Sequence, residues 1–413
     1  MTRTVPDILS ADHERDPYAT YRILREEMPV VFHEGTNSWL VSRHEDLSKL
    51  FKDPRIGSEN YVWQLEPAHG YTILQMEGRQ HTTHRRLMSP FFHGKGLERF
   101  TQTVAETARS AATPFIERER RRVASGEAQR GATDLVADFT SNYPIDVIEN
   151  MLGLPKEDRP MFKRWYRAII AFLGNIAMDP EVHEAGIAAR RELTEYFLPI
   201  IDERRGGDGE DFISRLARAE VEGTSLSDEE IRSFISLMLA AGGETTDRAL
   251  ASLFKNLVEH PDQLEAVYED RSLIRDAFAE TLRYSPPAHM IFRQPSEDVE
   301  IGGVEIPAGA LITCMLASAN RDGERFTDPD TFDIFRTDNS TERAFSGAAD
   351  HFAFAGGRHY CVGAMLARQE VELGTNFLLD HMADLRLAPG SVPQERGIYT
   401  RAPLRLDLTF VPR

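Results

Sequence analysis

Apolar and polar positions recur with helical period over most of the chain, and the places where that period fails are the informative ones. Residues 17–28 read as a helix. Val30-Val31-Phe32 and Trp39-Leu40-Val41 flank Gly35-Thr36-Asn37 as a hairpin, and Arg43 to Phe51 reads as a second, short helix. From Arg55 to Gly78 the period is lost, while Tyr61, Trp63, Leu65 and Tyr71 are scattered through the segment. A long irregular stretch rich in aromatics is expected to be a functional lid over a pocket rather than a disordered linker. Residues 97–220 are helical in pattern, broken by Pro144, Pro155, Pro160 and Pro180 and by the loop Arg205 to Gly209. Glu117 to Arg122 reads as a solvated helix face. Ala168 to Met178, the most apolar piece of this half, reads as core packing or the roof of a pocket.

Ser227-Asp228-Glu229-Glu230 is a capping box, and the period then continues to His260, stopped by Pro261. That predicts a helix of roughly 50 Å, long enough to cross a domain. From Phe234 to Ala241 it is apolar on most faces and therefore buried. Gly242 and Gly243 in its middle cost about 2 kcal/mol together relative to alanine, so something requires the space. Glycine permits close approach or a local opening of the backbone ladder, and a threonine can take up a freed carbonyl. A kink without chemistry is the plain alternative. Against it, Glu244 and Thr245 set an acid and an alcohol side by side inside an apolar helix. Further on, Ala277 to Tyr284 carries Glu280 and Arg283 on a helix ended by Pro286-Pro287, and Ala288 to Arg293 enters a strand. Val299 to Ile306 is a hairpin around Gly302-Gly303, and Asn320 to Arg336 is polar coil. Leu385 to Leu387 and Leu404 to Phe410 alternate as strands, with Ile398 and Tyr399 in the turn between them.

Composition narrows the class. A chain of 413 residues without linker, repeat or low-complexity tract reads as one domain, residues 1–413. A formal charge of −18 argues against non-specific nucleic-acid binding. With two cysteines no disulfide framework is indicated, and Cys314 lies in the apolar run Ala310 to Ala317, a core strand. No apolar run has spanning length, and Ile8-Leu9 makes no signal peptide. A soluble protein of the reducing cytoplasm is expected.

The other cysteine lies in His351 to Glu370, HFAFAGGRHYCVGAMLARQE. Val362, Leu366, Leu373 and Phe377 share a helical face, so Cys361 stands at the start of a helix. The free N–H groups and dipole there favour a metal-binding thiolate. A structural cysteine at a helix start is the alternative. Gly356 and Gly357 allow a tight path and Gly363 a close approach, so that a flat body can lie against Phe354 with the sulfur aimed at it. Arg358 and His359 would meet charges on its rim, which suits an iron porphyrin with two propionates better than a small ion. His81 and Arg85 share a face four residues apart; a solvated basic face explains them equally well, and a zinc site at His81 and His84 lacks a second ligand cluster.

Taken together, these motifs resemble the cytochrome P450 family. Phe354, Gly357, His359, Cys361 and Gly363 match its bacterial cysteine signature, with Ala355 where glycine is usual and Met365 where proline is frequent. Ala241 to Thr246 resembles its oxygen-activation motif, and Glu280 with Arg283 its buried pair. The resemblance covers essentially the whole chain and implies a mainly α, triangular single domain with small peripheral β-sheets. It implies haem b (iron protoporphyrin IX) as cofactor and Cys361 as the iron ligand. His81, Arg85 and Arg293 would hold the propionates, and Ala241 would lie against the haem. Glu244 and Thr245 would organise proton delivery, and Arg336 would complete a structural set with Glu280 and Arg283. Leu237, His289, Ile291, Ile398, Trp63 and Tyr71 are candidates to line the substrate pocket with Ala241.

The implied activity is monooxygenation: hydroxylation or epoxidation of a small apolar or partly aromatic molecule in secondary metabolism. In that family the cysteinate favours O–O cleavage. No segment for a flavin or iron–sulfur cluster is present, so a separate ferredoxin and ferredoxin reductase are expected. They would dock electrostatically near Arg85, Arg86 and Arg358 on a monomer. The alternatives are oxidative cyclisation or C–C or C–N coupling by the same oxidant, peroxide-driven turnover that would not need Glu244 and Thr245, and a haem-binding sensor or electron carrier.

Overall fold

The early hairpin forms one side of the principal sheet. In the computed structural model, which describes residues 4–175 and 179–413, Val30–His33 pairs antiparallel with Ser38–Val41. The connection is a 3-10 turn, Glu34–Thr36, closed by Asn37 in the left-handed region (φ 48°), which asparagine tolerates better than a branched residue. Ser38–Val41 runs parallel to Ile312–Cys314, which pairs antiparallel with Ile291–Pro295, and that strand carries Ile56–Gly57 on its outer side. Val30, Val41, Ile56, Ile312 and Cys314 form one buried cluster with Leu47 and Leu50 of helix His44–Leu50. Cys314 is thus core packing, and burial pushes its thiol pKa up to about 12.

The chain forms two compact units. One comprises Met1–Gly57, Ala108–Tyr143 and Thr245–Arg413; the other comprises Ser58–Thr107 and Pro144–Glu244. The first holds the principal sheet and a second sheet in which Asp407–Pro412 lies between Met382–Leu387 and Gly131–Asp134. The strand Gly131–Asp134 departs from the helical reading of residues 97–220. Gly-Ala-Thr-Asp has no strand signal of its own; the partner decides it, and a Cβ on Gly131 would come within 2.9 Å of the Phe410 ring.

The second unit is helical apart from the small ribbon Glu220–Val221 and Thr224–Ser225. Helices Arg159–Leu173 and Pro180–Arg205 pack through Phe162 and Phe197, whose rings lie 6.1 Å apart. Pro160 and Pro180 sit in the first turns of these helices, where no N–H is needed, whereas Pro114 and Pro199 lie inside helices that continue past them. Of the apolar run from Ala168, the part up to Leu173 completes the first of these helices, and Ile176 to Met178 lie outside the described residues.

The segment after Arg55 is more ordered than its lost period suggested. It contains short helical turns at Tyr61–Gln64 and Glu66–His69 and buries Ala68, His69, Ile73 and Met76. Its polar groups are satisfied locally: Gln75 accepts from the Thr72 amide at 2.8 Å and donates to the Gly70 carbonyl at 3.3 Å. It is also tied to its own unit. Arg232 donates to the His69 carbonyl at 2.6 Å, and Arg190 to that of Glu66 at 2.9 Å.

Candidate functional site

The long helix runs from Asp228 to Glu259, 32 residues and about 48 Å. Its start is the predicted capping box: the Ser227 amide donates to Glu230 at 2.8 Å, and the Glu230 amide to the Ser227 hydroxyl at 3.3 Å. No local opening occurs at Gly242-Gly243; the helix is continuous there. The space is taken instead by side chains of the second unit. A Cβ on Gly242 would stand 3.0 Å from Ile148 and one on Gly243 3.0 Å from Tyr166. From Ile231 to Ala240 every residue but Leu237 is buried; Ala241 is then exposed, and Glu244 and Thr245 are half-buried. Leu237, Ala241, Glu244 and Thr245 follow helical spacing, so a less covered stripe runs along the middle of the helix.

The next residue brings a group that the sequence did not single out. Thr246 is buried and its hydroxyl bonds the carboxyl of Glu370 on helix Ala364–His381. Glu370 is 1% exposed, and burial holds its carboxyl well above the usual carboxylate range. Nothing in a sequence window distinguishes Glu370 from a surface glutamate, because only the packing of two distant helices removes its water.

The cysteine turn is closed by its own backbone. The Cys361 amide donates to the Phe354 carbonyl at 3.1 Å, Ala355 to Phe352 at 2.8 Å and Tyr360 to Gly357 at 3.1 Å. Helix Ala364–His381 begins three residues after Cys361, with Gly363 as its N-cap residue. Val362 precedes the helix, and Leu373 and Phe377 are half-buried; the sealed face carries Leu366, Glu370, Val371, Gly374, Leu378 and Leu379 instead. The Cys361 residue is exposed, and the turn around it is half-buried or exposed between the buried Phe352 and Ala364.

The two turn glycines serve a neighbour as well as the turn. A Cβ on Gly357, whose φ is +67°, would fall 2.0 Å from the Phe51 carbonyl oxygen, and one on Gly356 would fall 2.8 Å from the Phe51 ring. Gly363 has only an ordinary contact, 3.9 Å to the Cys361 sulfur. Ala355 adopts φ 58° without being glycine. Phe51 also stacks edge-on against Phe352 and lies under the Arg293 guanidinium, 5.7 Å from ring centre to carbon. Sequence reasoning missed Phe51, which looked like the last residue of a short helix.

Glu280, Arg283 and Arg336 come together. Arg283 holds the Glu280 carboxylate at 2.6 and 2.8 Å, and Arg336 reaches it at 3.3 Å. Asn320, also missed, carries this set to the cysteine turn. Its carbonyl accepts from Arg283, its amide donates to the Leu282 carbonyl at 3.2 Å, and its side-chain oxygen accepts from the Phe352 amide at 2.7 Å.

The substrate candidates are dispersed. In the second unit Trp63 is 61% exposed, and the half-exposed Tyr71 donates to Gln80 at 3.2 Å. In the first unit Ile291 packs on the principal core, and Ile398 packs against the cluster of Tyr21, Leu24 and Met290. His289 departs from the picture of an open pocket residue. It is 1% exposed and its Nδ1 lies 2.9 Å from the Tyr21 hydroxyl. Burial, then Arg401 and Arg321, keep its pKa well below the usual value, so the ring is neutral.

Of the basic candidates, His81 is buried and Arg85 half-buried on helix Gly78–Met88, and both have partners. On the same helix His84 is engaged by Glu230 at 2.8 Å and by the Gln80 carbonyl, which leaves it no place in a zinc site. Arg86 pairs with Glu222 at 2.9 Å, and Arg358 donates to the Pro54 carbonyl at 3.1 Å. Arg293 is 5% exposed, bonds only its neighbour's carbonyl and the Phe51 face, and meets no carboxylate among the described residues. A buried guanidinium without a counter-charge is strongly unfavourable, so this side chain is fitted to an anion not supplied by the chain. With the exposed Cys361 beside the same Phe51-packed turn, the residues fit a planar group carrying both a metal and carboxylates.

Comparison with known proteins agrees. The sequence model of the family described as Cytochrome P450 matches residues 17–383. Pulcherriminic acid synthase of Bacillus subtilis (strain 168) is 37% identical over 405 residues, covering 98% of this chain and 97% of that protein. Cytochrome P450 monooxygenase PikC of Streptomyces venezuelae is 33% identical, covering 94% and 91%. Among solved structures, cytochrome P450 CYP109Q5 from Chondromyces apiculatus superimposes with a TM-score of 0.84 at 30% identity, covering 99% of this chain and 98% of that one. The mainly helical fold with small sheets, the cysteine turn and these relatives lead to one conclusion: the chain belongs to the cytochrome P450 family, as a monooxygenase whose cofactor is haem b.

Proposed function

We propose that this chain hydroxylates or epoxidises a small apolar or partly aromatic molecule of secondary metabolism, using electrons from a ferredoxin and its reductase. Haem b, when bound, supplies reductive activation of dioxygen. Cys361 would hold its iron as thiolate, with Phe354, Gly357, His359 and Gly363 shaping the turn. Arg293, His81 and Arg85 would neutralise its carboxylates, and Ala241 would give it room. The observation that carries this reading is the buried, uncompensated Arg293 guanidinium beside the Phe51-packed turn of an exposed Cys361.

Glu244 and Thr245 would hold and pass protons at the less covered stripe, while Leu237, Ile291 and Ile398, with Trp63 and Tyr71, would exclude water and orient substrate. His289 would act from behind, through Tyr21. Similarity to a relative named as the synthase of pulcherriminic acid supports a small-molecule substrate. We take the protein to be a monomer working in the cytoplasm; among the described residues no helix is long and apolar enough to cross a membrane. Two helices, Thr101–Ala124 and Asp228–Glu259, have residues in both units.

Cys361→Ser tests the first step. The reduced, carbon-monoxide-treated wild type should show the haem-thiolate absorption band and the variant should lose it; a band unchanged by the substitution refutes the ligand assignment. Thr245→Ala tests the second. It should lower product per electron and raise peroxide release, and unchanged coupling would remove the hydroxyl from the proton path. Reduction by ferredoxin should slow with salt, and the mass of the product separates oxygen insertion from oxidative coupling.

A further inference from the structure

The turn that carries Ile398 and Tyr399 is held by a set of largely covered charges with no part in the chemistry just described. Glu395–Arg396 pairs with Ala402–Pro403, leaving Gly397 to Arg401 as a tight tip. Gly397 has φ +103°, and a Cβ there would lie 2.0 Å from the Thr400 carbonyl oxygen. Arg401, 4% exposed, donates to the carbonyls of Glu14 at 2.6 Å, Arg15 at 3.1 Å and Gly397 at 3.2 Å. Its Nε meets Glu395 Oε2 at 3.2 Å. The other carboxylate oxygen of Glu395 lies 3.3 Å from Lys255 Nζ, which also pairs with Glu259 at 3.0 Å. Burial works to lower the Lys255 pKa, and Glu395 with Glu259 outweighs it, so the ammonium stays charged.

Lys255 lies on the long helix, ten residues and about 15 Å beyond Thr245. The tip is also stitched to the segment leading into strand Ile291–Pro295. The His289 amide donates to the Tyr399 carbonyl at 2.9 Å, the Arg401 amide to that of Pro287 at 2.9 Å, and Tyr399 stacks on Phe292 at 5.8 Å between ring centres. An apolar contact tolerates sliding, whereas a carboxylate shared by a buried guanidinium and a half-buried ammonium has one low-energy position.

We propose that Glu395 is a positioning residue: clamped between Lys255 and Arg401, it sets the distance of Ile398 and Tyr399 from the long helix and so determines how large a molecule the site accepts. This rests on the haem-thiolate reading and on Ile398 lining the substrate side.

The test uses holoenzyme with two iron-ligating probes, imidazole and the longer phenylimidazole, titrated by the haem spectrum. In Glu395→Gln and in Lys255→Met the ratio of the two Kd values should move by about tenfold, the order expected for losing one partner of a half-buried ion pair, while imidazole alone binds nearly as in wild type. The double variant should move it no further than either single one, and Lys255→Arg should restore the wild-type ratio. Hydrogen exchange at the amides of Gly397 to Arg401 should quicken in both single variants. If Glu395→Gln loads no haem, Lys255→Met, which keeps the Arg401 pair, decides the matter. An unchanged ratio in variants with an intact thiolate band, or two effects that simply add, overturns the proposal. A wild type without that band defeats the functional reading instead, and unaltered exchange at the tip would then dispose of the clamp independently.

Discussion

Glu280→Gln makes the sharpest test of how the cysteine turn is held. The Glu280 side chain is 2% exposed and that of Arg283 0%. One carboxylate oxygen accepts from Arg283 at 2.6 Å, from the Asp333 amide at 3.1 Å and from Arg336 at 3.3 Å; the other accepts from Arg283 at 2.8 Å. Glutamine keeps the shape, but turns an NH2 toward a guanidinium and leaves Arg283 charged with only the carbonyls of Asn320, Pro329 and Thr331. Removing one partner of such a buried pair costs about 3–5 kcal/mol. The exposed pair Lys49–Glu45, at 2.6 Å with side chains 70% and 77% exposed, serves as control, because water and salt screen it and it contributes little despite equally short geometry. At roughly 2.1 cal/mol/K of unfolding entropy per residue, a chain of 413 residues shifts by about 1 °C per kcal/mol, so Glu280→Gln should lower the calorimetric midpoint by about 3–5 °C. Because Asn320 links Arg283 to Phe352, haem should also dissociate faster. A midpoint within about 1 °C of the Lys49→Ala control would refute the argument that this set carries the turn.

Two other substitutions probe strain and ionisation. Ala355 at φ 58° pays about 1–2 kcal/mol for the left-handed region, so Ala355→Gly should stabilise by roughly 0.5–1 kcal/mol after the extra unfolded-state entropy is counted; a lower melting midpoint would contradict this. The Glu149 side chain, 2% exposed and 3.5 Å from Arg159, has its carboxyl pKa raised from 4.5 to about 7 by burial and by Asp146. The unfolded chain releases this proton near 4.5 while the folded one keeps it, so stability is lost as pH rises from there through about 7, by about 3 kcal/mol in all. Glu149→Gln should flatten that slope when midpoints near pH 5 and pH 8 are compared. An unchanged slope would mean that the group already ionises freely in the fold.

Much of what is decided within a few residues was legible in the chain alone, the short turns after Arg55 excepted. The capping box at Ser227, the left-handed-tolerant turn before Ser38, the helix after Cys361, the hairpin around Gly302-Gly303 and the spacing of Glu280 with Arg283 each depend on neighbours along the backbone, whose interactions a sequence displays directly. Tertiary structure alone decided why Gly356 and Gly357 are glycine, since the obstacle is Phe51, some three hundred positions earlier. It likewise made a strand of Gly131–Asp134, joined Asn320 to the cysteine turn, turned His289 onto Tyr21, sealed Glu370 against Thr246 and placed Glu395 between two cations. The physical reason is common to all of these: desolvation and steric exclusion act between surfaces that meet only once the chain has folded, and no local pattern encodes which surfaces those are.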